Sequence, residues 1–98
     1  MADDLASLTA ADFRGHLGTM FAGPGLAADW ELIEVTDLGD ASPGGARAPF
    51  SLVFRGPLEP VLPQGIRRLE HAGLGELDLF LVPIGPDEVG MRYEAVFG

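Results

Sequence analysis

Residues 66–82 read IRRLEHAGLGELDLFLV, and this stretch decides the fold. Apolar and polar residues alternate on both sides of a short segment that contains Gly73 and Gly75. A period of two residues is typical of a β-strand with one buried face. Two glycines can supply the positive φ angles that a short hairpin loop needs. The stretch therefore predicts an antiparallel β-hairpin.

The same pattern predicts the register of the hairpin. Pairing Leu69 with Leu77 places two leucines together on the buried face, and it also sets Arg68 opposite Asp78. A slip of one residue would bring Leu69 against Asp78 and turn the apolar set towards solvent. We therefore expect the leucine pair, the ion pair and a glycine in the turn.

Four further segments have the composition or alternation of strands: residues 19–21, 30–38, 50–55 and 91–97. Leu32 and Ile33 are adjacent apolar residues that interrupt the alternation of the second segment, which predicts a β-bulge or burial on both faces. Prolines make the segment after the third strand an extended connector. Two more prolines predict a turn over residues 83–89, and residues 39–48 are expected to form the most mobile loop.

A short helix is predicted before the strands. Thr9 is placed as its N-cap, and Asp12 three residues later completes a variant of the capping box. Phe13 would face the core. His16 near the far end and Gly18 just beyond it match a helix C-terminus, where a histidine can interact with the helix dipole.

Together these elements predict one mainly β domain over residues 1–98, with a flexible tail at residues 1–7. A chain of 98 residues has room for a single core. Sequential strands with short turns favour an antiparallel meander. We expect a small antiparallel β-barrel or two-layer sandwich of five to six strands, with one short N-terminal helix at one end.

The charge of the chain bears on its partners and location. Six arginines, no lysine and 15 acidic residues give a net charge of −9. Phosphate backbones and anionic membranes would be repelled, so neither nucleic acid nor a membrane is an expected partner. Cysteine is absent, which excludes disulfides and thiolate zinc sites. The acidic start MADDL and the lack of a long apolar run predict a cytoplasmic protein.

Candidate catalytic or metal-binding residues are scarce. A metal site would need His16 and His71 close to each other and to a carboxylate. His71 has Glu70 and Glu76 nearby in sequence, but Glu70 points to the other face of its strand. A partly buried imidazole that is hydrogen-bonded to the backbone is the favoured interpretation. No nucleophile elbow or phosphate loop is present, so no catalytic, cofactor-binding or metal-binding residue is assigned.

The hairpin also carries the candidate interaction residues. Arg67 and Arg68 are the only adjacent basic residues of the chain, and Arg68 has Glu70 beside it. A cross-strand ion-pair ladder would explain them. They could instead belong to a polar surface that a partner protein recognises at a sheet edge. The sequence leaves both explanations open, and the surface would comprise Arg67, Arg68, Glu70, His71 and Asp78.

Seven motifs together resemble a known family: LTAADF at 8–13, APFSLVFRGP at 48–57, LPQG at 62–65, RLEH at 68–71, LGEL at 74–77, FLVP at 80–83 and MRYEAVF at 91–97. The chain resembles DUF6916, a bacterial family of small domains of unknown function, over nearly its whole length. The resemblance implies a domain that typically stands alone. It also implies an association with genes for phage-tail-collar-like proteins, and it brings no assigned activity and no catalytic residues.

Three hypotheses about function follow. The favoured one is a non-enzymatic protein–protein interaction or assembly subunit linked to phage-tail-like structures, which binds a protein partner or itself through a β-edge or an apolar patch. The second is a β-barrel that holds a small ligand, although Phe and Leu side chains are expected to fill so small an interior. The third is a small hydrolase or metal enzyme that uses His71 and nearby carboxylates.

Overall fold

A computed structural model gives the fold and describes residues 8–39 and 48–98. The predicted tail at 1–7 and the predicted mobile loop, apart from its two end residues, lie outside the described residues. The elements in chain order are α1 (Ala10–Arg14), β1 (Met20–Phe21), β2 (Trp30–Asp37), β3 (Phe50–Gly56), β4 (Gly65–His71), β5 (Gly75–Pro86) and β6 (Met91–Phe97).

The six strands form one antiparallel sheet with the order β1-β2-β3-β6-β5-β4. Its two outer strands are joined by a bridge between Ala22 and Glu70, where each N–H donates to the carbonyl of the other residue at 3.0 and 2.7 Å. The sheet is therefore a nearly closed barrel. The predicted mainly β fold with one short N-terminal helix is confirmed, and the barrel is the form that it takes.

The strand order departs from the predicted meander at one place. β6 lies between β3 and β5, so β3 does not neighbour β4. The connector from β3 to β4 contains Pro57, Pro60 and Pro63, and such an extended segment cannot turn back into a tight hairpin. The edge of β3 is thus left for β6, which gives a Greek-key arrangement of β3, β4, β5 and β6.

The hairpin of β4 and β5 has the predicted register. Leu69 pairs with Leu77 and Arg68 pairs with Asp78. Both leucines are buried. Gly75 adopts a φ of +81° at the end of the loop, a conformation that favours glycine. The leucine pair, the ion pair and a glycine in the turn are thus confirmed, whereas Gly73 does not adopt a positive φ angle.

Two other strand predictions have different outcomes. The bulge predicted in β2 is confirmed, because its register with β3 shifts between Leu32 and Glu34. The turn predicted over residues 83–89 was wrong for its first half, since β5 continues to Pro86 and pairs there with β6. A bulge between Pro83 and Gly85 accommodates the prolines, because a disturbed ladder does not need every N–H.

Asp87 holds the turn that follows β5. Its Oδ1 accepts hydrogen bonds from the N–H groups of Val89 and Gly90 at 2.8 and 2.9 Å. Its Oδ2 accepts from Nε and Nη2 of Arg55 at 2.9 and 2.6 Å. The Arg55 hydrogen bonds, followed by these two backbone N–H groups, hold the pKa of Asp87 well below its usual range. A β3 side chain and the β5–β6 turn are thereby tied together.

Aromatic rings fill the barrel. At one end Phe13 of α1 packs against Phe50 and Phe97, with ring centroids 5.8 and 5.6 Å away. At another place Trp30 stacks on Tyr93 with centroids 4.0 Å apart and planes inclined by 14°. These five side chains are buried, so α1 covers the barrel interior as predicted.

The helix is shorter than predicted. Thr9 precedes it, and the Thr9 N–H donates to Oδ2 of Asp12 at 2.8 Å, as in a capping box. The helix ends at Arg14, with Gly15 as its C-cap. His16 therefore lies just beyond the helix, where its N–H donates to the carbonyl of Phe13 at 2.9 Å. The predicted interaction of its side chain with the helix dipole stays a prediction. Gly15 has a weak helix propensity, and the chain must turn early to reach β1.

Candidate functional site

The outward face of the hairpin carries an ion pair. Nε and Nη2 of Arg68 donate to Oδ1 and Oδ2 of Asp78 at 2.9 and 3.1 Å, and Glu76 lies 3.5 Å from the same guanidinium. The hydrogen bonds are the main cause that lowers the pKa of Asp78 and raises that of Arg68. Glu70 is directly opposite Glu76, and like charges in that position repel. This face is therefore polar, exposed and acidic on balance.

The structure brings together three of the five predicted interaction residues. Arg68, Glu70 and Asp78 share the outward face of the hairpin. Arg67 lies on the other face of β4, where its Nη2 donates to the carbonyl oxygen of Pro63 at 2.8 Å. His71 is half-buried on that other face as well. The last two residues therefore do not belong to the exposed polar surface.

His71 is held in a small network of hydrogen bonds. Its Nδ1 accepts from the N–H of Gly73 at 2.9 Å, so Nδ1 carries no proton. Its Nε2 lies 3.0 Å from Oγ1 of Thr19, whose hydroxyl donates to the carbonyl of His16 at 2.6 Å. These bonds select the neutral tautomer with a proton on Nε2. The predicted partly buried imidazole with a backbone hydrogen bond is confirmed.

The surroundings of His71 favour its neutral form. The ring centroids of Phe21 and His16 lie 4.4 and 4.5 Å from that of His71. Burial lowers the pKa of His71, and the charge of His16 lowers it further. Protonation would also turn Nδ1 into a donor that faces the Gly73 N–H. We conclude that the network functions as a structural clamp between β4 and the segment before β1.

A pH dependence follows from this clamp. Because the pKa of His71 is lower in the folded chain, the unfolded chain takes up the proton first, and stability falls as the pH drops below about 6.5. Between pH about 7.5 and about 5.5, we expect the free energy of unfolding to fall through this group, because the unfolded chain binds the proton more tightly than the folded chain. Urea denaturation of the wild type and of His71→Gln would measure it. The fall should be smaller in the variant, and equal falls would contradict the assignment.

Two features of the described side chains and helices are relevant here: whether possible metal ligands form a group, and whether a helix could span a membrane. Within residues 8–39 and 48–98, no three His, Cys, Asp or Glu side chains are grouped so that they could share a metal ion. No helix in these ranges has the length and apolar character needed to cross a membrane. Both ring nitrogens of His71 are occupied by hydrogen bonds, Nδ1 with the Gly73 N–H and Nε2 with the Thr19 hydroxyl. This geometry does not support a catalytic role for His71, and the enzyme hypothesis stays a prediction.

Three exposed apolar residues, which the sequence analysis did not single out, lie beside the charged face. Ile66, Phe80 and Val96 are 72%, 53% and 63% exposed, and we call them the apolar stripe. Ile66 and Phe80 are directly opposite each other in the β4–β5 ladder. The sequence indicated the orientation of two of them. Phe80 lies two residues after Asp78, and Val96 lies two residues after Glu94, so the period of two places each apolar side chain on the same outward face as that acidic residue.

An open cleft separates Phe80 from Val96. The β5–β6 ladder ends at the pair Val82–Glu94, and two residues further in the same register Phe80 would pair with Val96. The strands diverge there and leave a cleft of about 190 Å³. Its lining consists of Asp78, Leu79, Phe80, Ala95, Val96, Phe97 and Gly98.

A second cavity, of about 60 Å³, lies beside Trp30 and is lined mainly by apolar residues and prolines. Both volumes are below the roughly 300 Å³ at which small-molecule sites begin. The small-ligand alternative therefore gains no support from them and stays a prediction.

Comparison with known proteins gives a family and nothing beyond it. No curated protein and no solved structure matches the chain. One family model covers residues 8–97 of the 98, which includes every element of the barrel and the whole outward face of the hairpin. The chain belongs to DUF6916, a family defined as a domain of unknown function.

Proposed function

We propose that the domain is a non-enzymatic protein-binding module and that the apolar stripe contacts its partner. The main observation in support is that three exposed apolar side chains lie next to one another. Ile66 and Phe80 are cross-strand neighbours, and Phe80 and Val96 line the same cleft. Single exposed apolar residues are ordinary, whereas a contiguous exposed group is typical of an interaction surface. The link to phage-tail-like structures and the cytoplasmic location stay predictions.

Charge favours a different protein over a second copy of this chain. Each copy carries a net charge of −9, so two copies repel each other. Glu70, Glu76 and Asp78 border the stripe, and only Arg68 opposes them there. A partner with basic residues around an apolar patch would complement this surface, since matched potentials raise both association rate and specificity.

The proposal is tested by removing the stripe. The double variant Phe80→Ser and Val96→Ser should keep the fold, because both side chains are more than half exposed. Each tagged chain is used to purify proteins from the native cell, and the affinity of the protein recovered with the wild type is then measured. We expect the stripe variant to bind it at least about tenfold more weakly, as apolar anchors at interfaces do when truncated.

Val89→Ser provides the matched control, since Val89 is 71% exposed and belongs to the turn after β5. It removes the same kind of side chain and should leave the affinity unchanged. Equal losses in the control and the stripe variant would contradict the proposal. So would light scattering that showed a stable dimer whose interface is the stripe, because the partner would then be a second copy.

A further inference from the structure

We propose that the cleft between β5 and β6 accepts an extended segment of the partner, which forms main-chain hydrogen bonds to both strands and completes the barrel. The inference rests on the proposed function, because it uses the stripe as the docking surface. It adds the binding mode and the chemistry of the segment. The occupant is a short stretch of another protein in β conformation.

The direction of the main-chain groups in β5 follows from the bridge at Glu70. Both groups of Glu70 bond to the chain just after β1, so those of Leu69 point towards β5. Leu69 pairs with Leu77, whose N–H and C=O therefore point back to β4. Because direction alternates along a strand, the groups of Asp78 and Phe80 point away from β4 and into the cleft.

The facing side of the cleft is built in the same way. The N–H and C=O groups of Val82 point to the same side of β5 as those of Phe80. The pair of Val82 with Glu94 is the last rung of the β5–β6 ladder. Alternation along β6 then points the main-chain groups of Val96 towards β5. Within the described sheet, Phe80 and Val96 do not pair with each other. Two strand edges thus face one cleft, and strand edges of this kind are templates for another strand.

The side chains around the cleft specify the segment. The outer side chain of an inserted strand would lie between Phe80 and Val96, which favours an apolar residue there. Two positions along the segment, the next outer side chain would lie near Asp78 and Gly98. The Asp78 carboxylate and the net charge of −9 favour lysine or arginine at that position. The segment therefore has an apolar and a basic residue two positions apart.

The open edges can be tested on the free chain by amide hydrogen exchange. We expect the amides of Asp78, Phe80 and Val96 to exchange at least about tenfold faster than those of Leu77 and Leu79, which are paired with β4. An amide of Phe80 as protected as that of Leu79 would mean that the cleft is closed, and it would overturn the proposal.

Binding is tested with a random heptapeptide library displayed against the full chain. We expect the selected peptides to share the apolar–any–basic pattern and to slow exchange at Phe80 and Val96 at least tenfold. N-methylation of a central peptide amide should weaken binding about tenfold, whereas N-methylation of the terminal residue should not. Asp78→Asn should weaken binding severalfold, and the matched change Glu88→Gln, in the turn after β5, should leave it unaltered.

The outcomes separate the two proposals. A peptide that loses affinity for the Phe80→Ser chain but leaves exchange at Phe80 and Val96 unchanged overturns strand addition and leaves the stripe as the binding surface. Selected peptides that bind the Phe80→Ser chain as well as the wild type overturn both proposals. A library that yields no binder overturns strand addition, while the purification from native cells still decides the proposed function.

Discussion

Phe21→Ala is expected to lower the free energy of unfolding by about 3–5 kcal/mol. Phe21 is fully buried, with its ring edge-on to Phe54 at 5.1 Å between centroids and in contact with His71 at 4.4 Å. Truncation removes the transfer free energy of the ring and leaves a cavity between three elements. A domain of this size has a total stability on the order of 5–10 kcal/mol. The variant should therefore be partly unfolded at physiological temperature.

Urea denaturation followed by circular dichroism measures the loss. Met20→Ala is the matched control, because Met20 is the preceding residue of the same two-residue strand and is 50% exposed. Its effect should stay within about 0.5 kcal/mol. Amide exchange should also accelerate at Ala22 and Glu70, whose bridge lies next to Phe21. Similar midpoints for the two variants would show that β1 does not stabilise the barrel.

The contrast between the hairpin and β1 shows what the sequence could predict. In the hairpin, period-two alternation, a glycine-containing loop and the opposite charges of Arg68 and Asp78 all require one register, and it is the register observed. The segment 19–21 has only two residues in a strand, too few for a periodic signal. Its importance comes from the Ala22–Glu70 bridge, which is a contact between distant parts of the chain.

The strand order could not be predicted for a related reason. Local patterns indicate where strands occur, but the choice between β4 and β6 as the neighbour of β3 depends on long-range packing. The extent of β5 was missed because Pro83 and Pro86 are ordinarily strand breakers, and only the bulge at Gly85 makes them compatible with pairing. β3 is buried along most of its length, and Ser51 and Val53 are buried as well as the alternate residues Phe50, Leu52 and Phe54.

The candidate site was predictable in part. The charges of Arg68, Glu70 and Asp78 were placed correctly on the outward face, and the phase of the strands already placed Phe80 and Val96 there too. The cleft between those last two residues has no sequence signal. It lies beyond the last rung that the two strands share, Val82–Glu94, where β5 is paired with β4 and β6 with β3.

Gly56→Ala is expected to lower the free energy of unfolding by about 3 kcal/mol, at the upper end of the usual cost of overpacking. A Cβ atom at this position would overlap Nε1, Cδ1 and Cε2 of the Trp30 indole. Trp30 is buried and stacked on Tyr93, so moving it aside disrupts that stack. The φ angle of Gly56 is not positive, so alanine can adopt its backbone conformation, and the whole cost is steric.

Gly25→Ala is the control for this substitution, because a Cβ there would meet no atom within 4 Å. Its stability should equal that of the wild type or exceed it by a few tenths of a kcal/mol, since alanine restricts the unfolded chain. Urea denaturation followed by circular dichroism compares the two variants. If both unfold at the same urea concentration, the close approach of Gly56 to Trp30 is not present in solution.

A double-mutant cycle assigns the cost of Gly56→Ala to Trp30 itself. Trp30→Phe alone should be destabilising, because it removes part of a buried ring and its stack on Tyr93. In the Trp30→Phe background, Gly56→Ala should cost at least about 1 kcal/mol less than it does in the wild type, because the smaller ring leaves room for the added methyl group. Strict additivity would mean that the cost does not arise from contact with the Trp30 side chain. A coupling of this size thus shows that the indole requires glycine at position 56, and its absence shows that the indole does not.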